Sequence, residues 1–227
     1  MVDIIILIGM LVFALVGYKK GLIKEIITLA SSIMALVLAF IVYPVVNAIL
    51  KVTALYTAIY SGVSEKIEAI NFGKGLQSQG KAIIENITWL PDVLTEQIVS
   101  NNNTAMYELL GVRTIQEYIS TYITNMIIGM IAIVVTWFLL KVVLVWVLKV
   151  IGSIIECLPV ISSFNHLGGL VVGVLKGALT LSIIMLLIPV LITIPSLSHI
   201  GEIYDVSIFA QWFYEHNLVI WLYNYFM

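Results

Sequence analysis

The residues of this chain best able to do chemistry stand in apolar surroundings. In "FNHLGGLVVGVLKGALTL", Phe164–Leu181, a single lysine, Lys176, sits in a run with no other Lys, Arg, Asp or Glu, beside Gly169, Gly173 and Gly177 at four-residue spacing. Helical residues four apart stack on one face, so the three glycines form a bare stripe. If this run crosses a bilayer, Lys176 lies about ten residues in, roughly 15 Å deep at 1.5 Å per residue. An ammonium group at that depth is costly and needs a partner. Three chemistries answer the need: a buried ion pair that fixes helix register, a station on a path for an ion, proton or anionic solute, or a side chain that snorkels to the interface. The available anions are Glu25, Asp3 and Glu156, with Glu25 the first choice because it opens the second apolar run.

Little else points to catalysis. The chain has one cysteine, Cys157, so no intrachain disulfide framework is possible. His166, His199 and His216 have no ligand spacing that links them. There is no GxSxG, HExxH or P-loop, and "GGLVVG" follows no strand, so it is not a dinucleotide fingerprint. The expectation is a non-enzymatic protein with no cofactor and no metal.

The elements that must hold Lys176 follow from composition. The chain is 61% hydrophobic and 11% charged, with mean hydropathy +1.10, which places it in the membrane class. A formal net charge of −2 supplies no basic field for nucleic acid. Spanning helices need about 20 apolar residues. Four segments serve: Val2–Gly17, Leu22–Leu50 with Pro44 kinking its end, Tyr118–Leu140 with apolar character continuing to Leu158, and Leu167–Ile188 ended by Pro189. The expected fold is therefore all-α and polytopic, with four transmembrane helices. Its units are a first transmembrane hairpin (1–50), an amphipathic helical loop (51–117), a second transmembrane hairpin (118–195) and an amphipathic aromatic tail (196–227).

In the loop, Ile83, Ile84, Ile87, Leu90, Leu94 and Ile98 recur at helical spacing, apart from Lys81, Glu85, Asp92 and Glu96, with an interruption at Pro91. "NFGKG" and "SNNNT" separate short helices. The tail is rich in aromatics, among them Tyr204, Phe209, Trp212, Phe213 and Trp221, which suits either the membrane interface or packing on the loop helices. Lys141, Lys149 and Glu156 share a narrow sector, as expected if the third span continues as a partly submerged helix.

Basic residues orient the spans. The turn "GYKKGLIKE" holds Lys19, Lys20 and Lys24, and Lys141 and Lys149 follow the third span, whereas the tail has no lysine or arginine. The positive-inside rule puts both short connections in the cytoplasm, and the termini and long loop outside. Gly17 and Gly21, with Gly9 two turns further back, offer a smooth face to the Gly169–Gly173–Gly177 stripe, in the manner of GxxxG seams. The sequence leaves open whether that seam joins helices of one chain or of two copies. Asn165 reads as an N-cap of the fourth span, with His166 against headgroups or Glu156.

Two motifs resemble those of the colicin V production protein family of bacterial inner-membrane proteins. One is the first hairpin, with an early acid, Asp3, and a G-x-x-(K/R)-G-x-x-(K/R)-E turn at Gly17, Lys20, Gly21, Lys24 and Glu25. The other is Asn165 and His166 followed by Gly169, Gly173, Lys176 and Gly177, with His166 where arginine is usual. The resemblance implies an inner-membrane protein linked to production and export of the peptide toxin and to envelope homeostasis. The partners expected are the lipid bilayer, further copies of the chain and export or envelope machinery. An oligomeric scaffold assembled through the glycine stripe is the first reading, and a small channel or transporter with a Lys176–Glu25 polar path is the alternative.

Overall fold

The computed structural model describes residues 2–90, 92–152, 163–193, 206–217 and 219–222, with the backbone alone at positions 93, 148–152 and 163. Among these residues every regular element is a helix. Four stretches are long and apolar enough to cross a membrane: Val2–Lys20, Leu22–Lys51, Ile115–Val147 and Phe164–Thr193. The chain is an all-α, multi-pass membrane protein.

Helix α1 (Val2–Lys20) and helix α2 (Leu22–Lys51) are separated by a single residue, Gly21. Its φ of 81° is in the left-handed region, where a side chain is strained. Helix α2 continues through Pro44 to Lys51, as helices in lipid often do when neighbours restore the lost bond. Helix α7 (Ile115–Gly152) runs well past Leu140, in line with the long apolar run. The stretch 153–162, with Glu156 and Cys157, lies outside the described residues.

The two hairpins interleave. Helix α8 (Ser163–Met185) packs along the whole of α1 and also along α2, while α1 and α2 scarcely touch beyond their turn. Helix α7 covers the other side of α2. There Trp137 Nε1 donates to the carbonyl of Ser32 at 3.2 Å. The packing order is therefore α1, α8, α2, α7. It places the stripe and Lys176 of α8 between the two arms of the first hairpin.

Outside the spans, helices α3 (Ala54–Glu68), α4 (Leu76–Asn86), α5 (Asp92–Ser100) and α6 (Thr104–Leu110) cap the start of α7. Ile83, Ile87, Leu94 and Ile98 are buried there, as their spacing predicts, but Ile84 is 57% exposed and does not belong to the apolar face. The breaks fall around Pro91 and at 70–75 and 101–103. Tyr118 ties the cap to α7, its hydroxyl donating to the Ile98 carbonyl at 2.7 Å.

Helix α8 stops at Met185 and resumes as α9 (Ile188–Thr193). Pro189 has no N–H to give the carbonyl four residues earlier, so the ladder breaks one turn before it. Leu186 N then bonds Ile183 O at 3.3 Å and gives up the Ser182 carbonyl, which Asn217 Nδ2 takes at 2.7 Å. The tail thus repairs the break. Its helix α10 (Ile208–Glu215) packs on α1 and α8 rather than on the loop helices, burying Phe213 and Tyr214 and leaving Trp212 out. Tyr204, Tyr223, Tyr225, Phe226 and His199 lie outside the described residues.

Asp3 anchors this tail. Its Oδ1 accepts from Ser207 Oγ at 2.8 Å and from Phe209 N at 2.9 Å, filling an orphan donor at the start of α10. Asp3 is thus committed at the end of α1 opposite Lys20 and takes no part with Lys176. Asp3→Ala should free α10. Limited proteolysis should then remove the tail several times faster, with the spans still protected; an unchanged cleavage rate would contradict the anchor.

Candidate functional site

The site lies where the α1–α2 turn meets α8. Sharp turns between helices leave the last carbonyls of one helix and the first N–H groups of the next unpaired. Gly21, the N-cap position of α2, has no side chain to help. Both ends are served from α8. Asn165 Oδ1 accepts from Leu22 N at 2.8 Å, and His166 Nδ1 meets the Tyr18 carbonyl at 2.7 Å. A carbonyl only accepts, so Nδ1 carries the proton. The His166 and Tyr18 rings stand 5.2 Å apart.

These contacts correct one expectation and add a partner to another. Because α8 begins at Ser163, Asn165 lies inside it and caps the neighbouring helix instead of its own. His166 is held by backbone, and its expected partner Glu156 is not among the described residues. Asn165→Ala should cost about 1 kcal/mol, the usual value of an N-cap, read as a lower melting temperature in detergent. Asn165→Asp should keep most of the stability.

Below the caps the glycines interlock. A Cβ on Gly169 would stand 2.8 Å from Gly21 Cα, one on Gly17 2.9 Å from Gly173 Cα, and one on Gly177 2.9 Å from Phe13 Cβ. Real side chains do not fit such gaps, so the backbones touch across the seam. Gly9 takes no part, having nothing within 4 Å of a Cβ built there. The stripe is filled by α1 of the same chain.

Under the seam the Lys176 ammonium contacts Glu25 Oε1. Glu25 is completely buried and Lys176 is 6% exposed. The second carboxylate oxygen of Glu25 accepts from Thr28 Oγ1 at 3.1 Å and faces Lys20 Nζ at 3.8 Å. The Phe13 ring closes one side, its centroid 5.8 Å from Lys176 Nζ. Helical side chains lean towards the N-terminus, so Lys176 reaches back along α8 towards the turn. Glu25 sits in the first turn of α2, where the helix dipole favours a negative charge. Lys19 and Lys24 point outward and are exposed.

Sequence reasoning found Lys176, Glu25 and both glycine faces. It missed Thr28, Phe13 and Tyr18, and no spacing signal marks them, because each contributes through one contact set by the packing of α8. No group of three or more His, Cys, Asp or Glu able to hold a metal occurs among the described residues. The arrangement neutralises and encloses charge.

Residues 2–69, which comprise α1, α2 and α3, match a family model described as Colicin V production protein. No curated protein and no solved structure matches the chain.

Proposed function

From an N-terminal region of the colicin V production type, we propose that this chain is a non-enzymatic scaffold of the bacterial inner membrane. It supports peptide-toxin production and export or envelope homeostasis, works as a homo-oligomer, and holds both termini outside the cytoplasm. One observation carries the reading. In their most apolar windows α1 and α2 are only 17% buried, against 44% and 50% for the other two spans. The matched hairpin is thus braced from within by α8 and turns its outer side away from the fold. Ile5, Ile8 and Val12 lie on that side and are all more than half exposed. With the glycine stripe used inside the chain, assembly falls to this outer face.

The experiment starts from Cys157→Ser, so that added cysteines act alone. Val12→Cys should form a disulfide-linked dimer in membranes, and Val12→Trp should lower both the oligomer and toxin secretion or envelope resistance in complemented deletion cells. A Val12→Cys chain that stays monomeric under oxidation would remove the oligomer from the proposal.

The channel alternative has the buried Lys176–Glu25 pair in its favour. Against it, both carboxylate oxygens are engaged, and the seam beside them is closed by backbone contact. Liposomes containing the purified protein should pass no ion under voltage, and a current altered by Lys176→Met would reverse the choice.

A further inference from the structure

A second feature lies further along α8, beyond the glycine stripe. Helices α7 and α8 line an open groove of about 770 Å³ whose walls are almost wholly apolar. It runs along α7 from Trp146 to Val134, twelve steps, about 18 Å at helical rise, close to the depth of one leaflet's hydrocarbon. Two polar groups enter it. Lys141 lies near the middle of that length, and its Nζ reaches back to 4.3 Å from the Trp137 ring centroid. Thr180, 91% buried, lines the wall from α8, and its Oγ1 has no hydrogen-bond partner. A buried hydroxyl left unpaired is costly.

The charge around Lys141 is unbalanced. Lys20 acts electrostatically on both Lys141 and Lys176, while Glu25 is the carboxylate bound to Lys20 and Lys176. Among the described residues no carboxylate stands within ion-pair distance of Lys141. Trp146, 67% exposed, stands at one end of the groove, five residues beyond Lys141, as interfacial tryptophans do. A ligand for this place needs a negative headgroup, a hydrogen-bond acceptor just below it and an apolar chain.

We propose that the α7–α8 groove binds one anionic phospholipid from the leaflet at its Trp146 end. The phosphate rests on Lys141, between Trp137 and Trp146. An ester carbonyl accepts from Thr180, and one acyl chain lies along Phe138 and Ile184 towards Val134. Thr180 and Ile184 continue the face of α8 that carries Lys176 and the glycine stripe, one and two turns further on, and the site does not depend on the oligomer.

Native mass spectrometry of the full chain from bilayer discs of equal phosphatidylglycerol and phosphatidylcholine tests this. The wild type should retain one phosphatidylglycerol per chain. Lys141→Met should lower that retention about fivefold, the worth of one lysine at an anionic surface. Lys141→Arg should keep the lipid, Thr180→Val should weaken it for both headgroups, and Lys81→Met, on the exposed side of α4, should change nothing. Equal retention of the two lipids by the wild type would overturn the proposal. So would loss of lipid in both the methionine and arginine variants, which would mark a change of the groove rather than of its charge. Displacement by excess inorganic phosphate would replace the lipid with a free anion. Disulfide-linked dimers of Phe138→Cys in a Cys157→Ser background would assign the groove to a second copy, again against the proposal.

Discussion

Glu25→Gln is expected to destabilise the protein by about 3–5 kcal/mol, the penalty for stranding one member of a buried ion pair. The Lys176 ammonium would remain enclosed by Phe13 and Gly177, with Lys20 repelling it. Lys176→Met should cost less. It leaves Glu25 with Lys20 at 3.8 Å and Thr28 at 3.1 Å, so the carboxylate keeps a cation and a donor. The double variant, with neither charge present, should recover most of the loss, because well-packed neutral side chains often replace a buried pair with little penalty. Denaturation of the four proteins in one detergent gives the cycle. Equal losses for the two single variants would mean that Lys20 does not support Glu25, and additive losses would mean that the pair is not coupled.

The second large effect belongs to the seam. Gly173→Leu should abolish the folded hairpin–α8 unit, and Gly173→Ala should already cost about 1–3 kcal/mol through overpacking. A Cβ at this position stands 3.1 Å from Gly17 Cα and against the Phe13 carbonyl. Both are backbone atoms and cannot turn aside as a side chain would. Gly9→Leu, on α1, should be neutral within about 0.5 kcal/mol, since nothing lies within 4 Å. Because the seam is intramolecular, Gly173→Leu should lower protease resistance even in dilute monomer. A variant that disperses oligomers while each chain stays compact would place the seam between copies instead.

The sequence made part of this site legible for a physical reason. A charge in an apolar run has few partners, and glycines four apart define a face whatever they touch. Lys176, Glu25 and the Gly17–Gly21 surface could therefore be matched across more than a hundred residues. The caps could not. Asn165 obeys the N-cap preference, but the helix it caps is a neighbour, and no local pattern states which backbone end a polar side chain will meet. Asp3 likewise finds Ser207, 204 positions away, through packing of the tail alone. The break in α8 was legible at Pro189, but Asn217 as the group that fills it was not. In the loop, Ile84 shares the spacing of its buried neighbours and yet faces out, since α4 ends at Asn86 and its short face covers only one side.

The interleaved packing of α8 also fixes an order of events. The first two rods leave the ribosome long before the rod that must slide between them, and about 150 residues separate Glu25 from Lys176. At about 5–20 residues per second, the carboxylate waits roughly 8–30 s for its cation. During biosynthesis the arms of the opening pair must stay parted around Gly21, with Lys20 as the available counter-charge. The opening pair is thus made without the contacts that α8 later supplies to both of its arms.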